Sequence, residues 1–234
     1  MGKVIMSGIV PLLSVPATTK PNFADNTWTQ IIKACQTNRV PDTWAVGNQK
    51  SMTIGGTDYV IDIIGKNHDT YSSGGTAPLT FQMHDCYGTT YTMNKTDTNI
   101  SGWTNCIMRT THLPAILALM PSEVQNGIRE VDKLTSFGNK NTTIGTDADK
   151  LFLLSEIEVF GKTTNSFSGE GTQYDYYKTG GSKVKDLNHT PGWWWERSPR
   201  TDTSTGFCAV NSEGTDDVDR ASETTNGVSF AFCF

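Results

Sequence analysis

The 234-residue chain has few charged side chains and no cluster of cysteines. Only 18% of its residues are Asp, Glu, Lys or Arg, the net charge is -5, and lysine and arginine form no run. Without a basic stripe to neutralise phosphates, we expect no nucleic-acid binding. The cysteines show neither a CxxC pair nor zinc-site spacing, so we expect no metal or other cofactor in a mostly reduced protein. They are Cys35, Cys86, Cys106, Cys208 and Cys233.

The chain also lacks a long apolar run. No stretch reaches the ~20 apolar residues of a membrane-spanning helix, so we expect no membrane insertion. Residues 4–15 are apolar but are interrupted by Gly8 and Pro11, and they imitate a weak signal peptide without a clean cleavage site. We interpret residues 1–24 as an apolar segment that forms a strand. Residues 25–234 show no repeat or linker, which indicates a single domain.

The remaining composition, with 22 glycines and 10% aromatic residues, favours a β or α+β protein. Trp28, Ile31, Ile32 and Cys35 fall on one face of a short helix, with Asp25 or Asn26 as its cap. Apolar runs on either side of Gly55-Gly56 predict a β-hairpin, and residues 79–83 predict another strand.

Further elements follow in the middle of the chain. Residues 112–120 predict a helix that Pro121 stops. Ser122 and Gln125 match a capping box for a second helix to about Val131. We expect a strand over residues 151–160 and a long surface loop over residues 161–188.

The last forty residues contain the most informative pattern. Apolar blocks at residues 193–195, 207–210 and 227–234 are separated by hydrophilic spans, which predicts a small antiparallel set of strands joined by exposed loops. Residues 200–226 number 27, of which 15 are Thr, Asp, Ser or Asn, and none is Lys, Leu, Ile, Met, Pro or Trp. Short hydrophilic side chains of this kind can be exchanged without disturbing a core, which is typical of a recognition surface.

These blocks resemble a family of bacterial and phage domains that end in WW-x-RSP, a hydrophilic variable stretch and a Gly-Val-x-x-x-Phe strand. The matching residues are Trp194, Trp195, Arg197, Ser198, Pro199, Gly227, Val228 and Phe232. Weaker similarity at residues 44–47, 59–69 and 79–82 extends the resemblance over residues 28–234. The ending is also similar to the variable proteins of diversity-generating retroelements, in which adenine-directed mutagenesis of Asn codons yields mixtures rich in Thr, Ser and Asp. Glu213 and Glu223 depart from that pattern, since no such codon gives Glu.

The resemblance implies an α+β, C-type-lectin-like fold of the formylglycine-generating-enzyme-like subclass. Such a fold has small mixed antiparallel sheets, two or more flanking helices, long loops, and paired first and last strands. The motif residues would form the scaffold, and a variable region at about residues 200–226 would bind the ligand, with residues 209, 211 and 213 on one strand face. Together with Trp193, the tryptophan that we expect to reach the surface, the predicted ligand-binding residues are Arg200, Thr201, Asp202, Thr203, Thr205, Ala209, Asn211, Glu213, Thr215, Asp216, Asp217, Val218, Asp219, Arg220, Ser222 and Glu223.

Three candidate chemical sites lie outside this surface. Cys208 and Cys233, on adjacent predicted strands, match the cysteine pair of formylglycine-generating enzymes, although buried structural thiols are the favoured interpretation. His68-Asp69 and His84-Asp85 have no further ligand at metal-site spacing, so turn or capping roles are favoured. Asp147 and Asp149 are too few for a calcium-binding EF-hand.

The sequence therefore predicts a binding protein that is not an enzyme, displaying a diversifiable hydrophilic surface to an unknown protein or cell-surface ligand. A phage tail-tip adhesin or a bacterial surface-display protein fits this description, with a virion or cell-surface location. Two alternatives stay open: an oxidoreductase that uses Cys208 and Cys233, and a purely structural virion component.

Overall fold

A computed structural model describes residues 18–234 of the protein. The strand expected near the N-terminus falls largely on residues outside the described part. The α-helices are α1 (Trp28–Gln36), α2 (Leu113–Leu117), α3 (Ser122–Gly127), α4 (Glu156–Phe160) and α5 (Asp175–Lys178). The strands are β1 (Gln49–Ile54), β2 (Thr57–Lys66), β3 (Leu79–Met83), β4 (Val131–Ser136), β5 (Ile144–Asp149), β6 (Leu151–Phe152), β7 (Lys185–Leu187), β8 (Thr190–Gly192), β9 (Trp194–Pro199), β10 (Gly206–Val210), β11 (Asp216–Arg220) and β12 (Ala231–Cys233). The fold is thus α+β, with short helices and small antiparallel sheets.

The largest sheet has five antiparallel strands in the order β1-β2-β3-β12-β6. Its central strands β3 and β12 are buried along their whole length. The rings of Phe81, Phe232 and Phe234 lie 5.3–5.4 Å apart and fill the space beside these strands. Two strands separate β1 from β12, so no pairing of first and last strands occurs among the described strands.

A second antiparallel sheet, in the order β11-β10-β9, contains most of the informative C-terminal segment. A parallel bridge between Trp194 and Gly227 connects this sheet to the chain that leads into β12. A Cβ atom on Gly227 would lie 2.5 Å from the sulfur of Cys86, so the close approach requires glycine. Two-stranded hairpins β4-β5 and β7-β8 complete the sheets of the described chain.

The predicted first helix and first hairpin are both confirmed. The helix cap is Thr27 rather than Asp25 or Asn26: its hydroxyl accepts the amide of Gln30, whose side chain accepts the amide of Thr27. This reciprocal capping box fixes the start of α1. Gly55 and Gly56 have φ of 59° and 86°, the positive values that a two-residue hairpin turn needs.

The predicted strand over residues 151–160 is wrong in its second half. β6 ends at Phe152, and Ser155 starts α4, because its hydroxyl accepts the amide of Glu158 while the Glu158 carboxylate accepts the amide of Ser155. The Ser-x-x-Glu spacing is a helix start signal, and it outweighs the alternating pattern that indicated a strand.

Two further predictions need correction. No capping box forms at Ser122, because the Gln125 amide donates instead to the main-chain oxygens of Ala118 and Met120, and α3 ends at Gly127. The predicted loop over residues 161–188 contains α5 and β7 and buries Tyr174, Tyr177 and Lys185.

The buried apolar residues form one continuous cluster that extends from Phe23 to Phe234. Phe23 packs against Trp28, Trp44 and Phe81 with ring centroids 5.3–6.5 Å apart. The core therefore begins before residue 25, the boundary that the sequence suggested. None of the helices in the described part is long and apolar enough to cross a bilayer.

Candidate ligand-binding surface

Strand β9 provides fixed support beneath the candidate surface, and all six of its residues are buried. Trp194 and Trp195 are fully buried and donate their indole N–H groups to the main-chain oxygens of Lys183 (2.9 Å) and Tyr91 (2.8 Å). Both indoles are therefore satisfied, as buried polar groups must be. The prediction that two of the three tryptophans belong to the core is confirmed, and Trp193 is partly buried at its edge.

Arg197 anchors β9 through a buried ion pair. Its guanidinium group donates to both carboxylate oxygens of Glu158, at 2.5 and 3.0 Å, and to three main-chain oxygens. Lys133 lies 2.8 Å from Glu158 and 2.8 Å from Asp69. Burial tends to raise the pKa of Glu158, but the charges of Arg197 and Lys133 outweigh it and hold the pKa below its usual range. The network fixes β9 because each buried charge has a charged partner.

Ala209, a predicted ligand-binding residue, is fully buried, and this prediction is wrong. Its partners across the sheet are Trp195 in β9 and Asp217 in β11. The other residues of β10 are buried as well, so both faces of this strand are covered. The apolar residues that we expected to alternate with exposed ones instead form a continuously buried central strand.

The expected common face for residues 209, 211 and 213 does not exist, because β10 ends at Val210. Residues 211–215 form the turn of the β10-β11 hairpin, in which the amide of Asn211 donates to the carbonyl of Thr215 (3.0 Å). Gly214 has φ of 78°, a conformation that favours glycine. Glu213 and Thr215 are exposed at this turn.

At the other end of β10, buried Asn99 holds the loop of residues 200–206. Its side-chain amide donates to the main-chain oxygens of Arg200 (3.4 Å), Thr203 (3.1 Å) and Gly206 (2.8 Å). Its main-chain amide donates to the carbonyl of Ser204 (2.7 Å). Asn99 therefore holds the backbone of this loop to the core.

The side chains of this hydrophilic stretch bond mainly to one another. Arg200 pairs with Asp202 at 2.8 Å, and the hydroxyls of Thr203 and Thr205 lie 2.7 Å apart. Similar local bonds join Asn211 to Thr215 and Glu223 to Thr225. Some of these side chains also accept main-chain amides of their own turn, as Asn211 does from Glu213 (3.0 Å) and Thr215 (3.1 Å). Replacing one of them changes a surface turn, so we expect little effect on the buried strands β9 and β10.

Some bonds reach beyond the stretch. Asp97 accepts the hydroxyl of Ser222 at 2.6 Å and lies 3.6 Å from Arg220. Lys162 lies 3.3 Å from Asp216. These contacts are also at the surface, and they mark its borders.

Strand β11 forms the open edge of the three-stranded sheet. Ala209 and Phe207 are hydrogen-bonded partners of residues 217 and 219, so the amides of Val218 and Arg220 point away from β10. The carboxylates of Asp217 and Asp219 accept these two amides at 2.8 and 2.7 Å. The aspartates thereby block the edge against pairing with another strand, which leaves side chains as the means of recognition.

Sixteen of the seventeen predicted ligand-binding residues are at least partly exposed, Ala209 being the exception. The loop of residues 200–206 and the turn of residues 211–215 lie at opposite ends of a five-residue hairpin, roughly 17 Å apart at strand spacing. We call the exposed residues of 200–226 the display surface. It carries six carboxylates and two arginines, and so contributes most of the chain's net charge of -5.

The two C-terminal cysteines are placed differently from the prediction. Cys208 lies in the three-stranded sheet and Cys233 in the five-stranded sheet, so they are not on adjacent strands. Both are free thiols without solvent exposure, and burial raises the pKa of each well above its usual value. Thiols in this state are poor nucleophiles.

The His-Asp dipeptides have structural partners. Asp69 accepts hydrogen bonds from Thr80, Lys133 and Tyr174 in the core, and His84 bonds to Asp62 at 2.8 Å rather than to its neighbour. Within residues 18–234, no three His, Cys, Asp or Glu side chains are grouped so that they could hold a metal ion.

Sequence reasoning missed Asn99, which holds the loop of residues 200–206, and the concavity that Ile100 and Phe137 help to line. In the sequence, Asn99 stands in a mostly hydrophilic segment. The residues that accept its hydrogen bonds are about a hundred positions away, so no local pattern identifies it. Ile100 and Phe137 are 57% and 39% exposed, which is unusual for large apolar side chains. A single apolar residue between hydrophilic ones carries no such signal in sequence.

These features define a class: an α+β protein whose buried C-terminal strands support an exposed hydrophilic surface. The chain belongs to the DUF6273 family, described as a domain of unknown function, whose model matches residues 79–234, about two thirds of the chain. The match begins with β3 and includes the whole display surface. No curated protein and no solved structure matches the chain.

Proposed function

We propose that this chain is a binding protein, not an enzyme, whose display surface carries exchangeable side chains that contact a protein or cell-surface ligand. The observation that carries the proposal is the contrast between adjoining residues. β9 and β10 are fully buried, whereas residues 200–205 and 211–220 are at least partly exposed and bond mostly to one another. A rigid support with replaceable side chains is what a diversified recognition site needs.

The resemblance to retroelement variable proteins supports the same proposal and extends it. We propose that residues 200–226 form the variable region of a C-type-lectin-like domain, and that the protein acts at a phage tail tip or a bacterial surface. The α+β architecture is compatible with this subclass. The burial of Cys208 and Cys233 in separate sheets argues against the oxidoreductase alternative.

A library selection tests the proposal. Seven positions that are at least partly exposed are randomised and displayed on yeast, and binders to immobilised lysozyme are selected. They are Asp202, Thr203, Thr205, Asn211, Glu213, Thr215 and Val218. We expect most members to fold and specific binders to emerge, because the replaced side chains do not support the core. A matched library at buried positions Phe207, Cys208, Ala209, Val210 and Ala221 should contain few folded members.

Two outcomes would contradict the proposal. If the exposed library folds as rarely as the buried one, the side chains are structural, as expected of a purely structural virion component. If it folds but yields no binder above the unrandomised chain, the surface does not act in recognition.

A further inference from the structure

Lys133, Asp69 and Glu158 form a buried trio in which one amine lies against two carboxylates. The Nζ atom of Lys133 is 2.8 Å from Oδ1 of Asp69 and 2.8 Å from Oε1 of Glu158. The three residues are only 2–4% exposed. The amine also lies over the ring of Phe152, 4.3 Å from its centroid. Buried ion pairs are costly to desolvate and are by themselves weak evidence of a stabilising role.

The backbone places Asp69 and Lys133 opposite each other. Tyr71 and Val131 form an antiparallel bridge, and an amide–carbonyl hydrogen bond of 2.9 Å joins the next pair of residues. The same register, continued by one more residue, pairs position 69 with position 133. Side chains directly opposite in such a pair are close neighbours, so the main chain itself brings the amine to the carboxyl group.

Hydroxyl groups hold the second oxygen of Asp69. Its Oδ2 atom accepts hydrogen bonds from Thr80 (2.5 Å) and Tyr174 (2.9 Å). These donors draw electron density from the carboxyl carbon and stabilise negative charge that develops on Oδ2. The oxygen that faces the amine, Oδ1, is then the one that can leave.

A concavity of about 240 Å³ borders the trio, and all three residues contribute to its lining. Gly171 forms part of its wall, where a Cβ atom would lie 2.8 Å from Oε1 of Glu158. The concavity opens to solvent. A water molecule released at the trio therefore has a route out of the core.

We propose that the side chains of Lys133 and Asp69 join in an intramolecular amide bond, an isopeptide cross-link, with Glu158 as the proton carrier. The new bond forms between Nζ of Lys133 and Cγ of Asp69, and the bond from Cγ to Oδ1 breaks. The ammonium and carboxylate groups together contain every atom of the amide and of the one water molecule that leaves. The reaction therefore needs neither an oxidant nor a further reactant.

The steps follow from the contacts. One proton passes from Nζ to Oδ1 over the existing hydrogen bond, which gives a neutral amine and a neutral acid. Nζ then attacks Cγ, and negative charge appears on Oδ2, to which Thr80 and Tyr174 donate. Oε1 of Glu158 takes a second proton from the nitrogen, now positively charged, and gives it to the departing Oδ1. Such a nitrogen is strongly acidic, so even a carboxylate with a low pKa, such as Glu158, accepts its proton.

Burial and fixed contact favour this reaction in the core. Burial removes the water that stabilises separate ammonium and carboxylate ions, so the step to neutral groups is easier than in solution. Groups held in contact reach effective concentrations of up to about 10⁵–10⁸ M. Burial raises the pKa of Asp69, but the charge of Lys133 outweighs it and lowers the pKa to about 2, so the chain folds with the ion pair and the amide forms afterwards.

The cross-link simplifies the buried network. Two opposite charges become one neutral amide, and Glu158 keeps Arg197 as its charged partner. Asp69 no longer titrates once it has reacted, so Glu158 alone of the trio still does so at low pH. The amide also closes the chain between residues 69 and 133 into a loop, which restricts the unfolded state as a disulfide does.

Two other lysines show why the reaction is specific. Lys185 is equally buried, but it donates to the main-chain oxygens of Met83 and His84 (both 2.7 Å), which are not electrophilic acids. Lys162 lies 3.3 Å from Asp216 with 61% of its side chain exposed, so water stabilises both charges. Lys133 combines burial with contact to a carboxyl group.

Mass spectrometry of the purified full chain, folded and then denatured, tests the cross-link. We expect most molecules to be lighter than the sequence mass by one water molecule. Digestion with trypsin should join residues 67–95 to residues 130–140 in a single product, because trypsin does not cleave after a modified Lys133. A cooperative urea transition of the same sample shows that the protein was folded.

Lys133→Arg is the matched variant, since it keeps a positive charge between the two carboxylates but replaces the amine by a guanidinium group that stays protonated. It should have the full sequence mass. Lys185→Arg makes the same change at the buried lysine that contacts no carboxyl group, and it should still lose one water molecule.

Three results would overturn the inference: a folded wild-type chain with the full sequence mass, a loss of water that maps outside the two joined peptides, or the same loss in Lys133→Arg. Should either variant fail to fold, the wild-type digest still decides. The inference does not depend on the display function, which the library selection tests separately at other positions.

Discussion

Arg197 shows most clearly how single residues hold the site in place. Its side chain is fully buried and forms an ion pair with Glu158. The same carboxylate pairs with Lys133 and accepts the amide of the residue that caps α4. Glu158 therefore joins β9, β4 and α4 through one carboxylate. Breaking such a pair leaves an uncompensated charge in the core, which is more costly than losing the attraction alone.

We predict that Arg197→Met lowers the free energy of unfolding by about 3–5 kcal/mol, measured by urea denaturation. Arg220→Met is the control: that side chain is 77% exposed, and the change should stay within about 0.5 kcal/mol. If Arg197→Met does not fold, Arg197→Lys should fold with an intermediate loss, since it keeps the charge without the paired contact. Equal effects at positions 197 and 220 would contradict the account.

The residue-scale predictions from sequence succeeded where one local pattern decides the outcome. Trp194 and Trp195 are in the core and Trp193 is at its edge, as expected of a strand-length aromatic block. Ala209 could not be placed, because its burial depends on the strands β9 and β11 that pair with β10 on both sides.

Strand β11 is the element whose outward-pointing amides are hydrogen-bonded by its own side chains. Asp217 and Asp219 each accept the next residue's outward-pointing amide. Edge strands without such protection pair readily with other chains. Two aspartates therefore contribute to keeping the display surface free of unwanted pairing, apart from any role in recognition.

Replacing both aspartates by alanine should increase self-association, measured by sedimentation velocity over a range of protein concentrations. The replacement also removes two negative charges, which by itself reduces repulsion. The double asparagine variant is therefore the matched control, because it removes the same charges but keeps oxygens that can accept the two amides. Association of the asparagine variant to the same extent as the alanine variant would show that charge, not capping, protects the edge.

Across the whole molecule, the core buries acidic groups of two kinds. Asp69 and Glu158 have charged partners: the pKa of Asp69, which burial would raise, is lowered to about 2, chiefly by Lys133. Glu170 and Glu196 are different. Burial raises the pKa of Glu170 to about 7 and that of Glu196 well above its usual range, with Glu156, Glu170 and Asp216 adding repulsion at Glu196. In residues 18–234, the carboxyl oxygens of Glu196 are the buried side-chain polar atoms without a hydrogen-bond partner.

Stability should therefore rise as the pH falls from 8 to 5. The carboxyl of Glu170 has its ordinary pKa of 4.5 in the unfolded chain and a pKa of about 7 in the folded chain. As the pH rises from 4.5 to 7, the protein therefore loses roughly 3 kcal/mol of stability through this residue. Below pH 4, protonation of Asp69 and Glu158 lowers stability again. Urea denaturation from pH 3 to 8 measures this profile.

Glu196→Gln should stabilise the protein more at pH 8 than at pH 5, because it removes the group whose ionisation is penalised. The exposed Glu213→Gln is the control and should change neither value. An equal effect of Glu196→Gln at both pH values would show that Glu196 is not held in its protonated form.

The central claim is that a buried support carries a replaceable surface, and a protease-resistance scan of all single substitutions at residues 194–233 tests it most directly. We predict that resistance falls sharply for most substitutions at residues 194–199, 206–210 and 226–233 and at Ala221. It should remain near the wild-type level at residues 201–205, 211–213, 215–216, 218 and 222–225. A uniform loss of resistance across residues 194–233 would contradict the account.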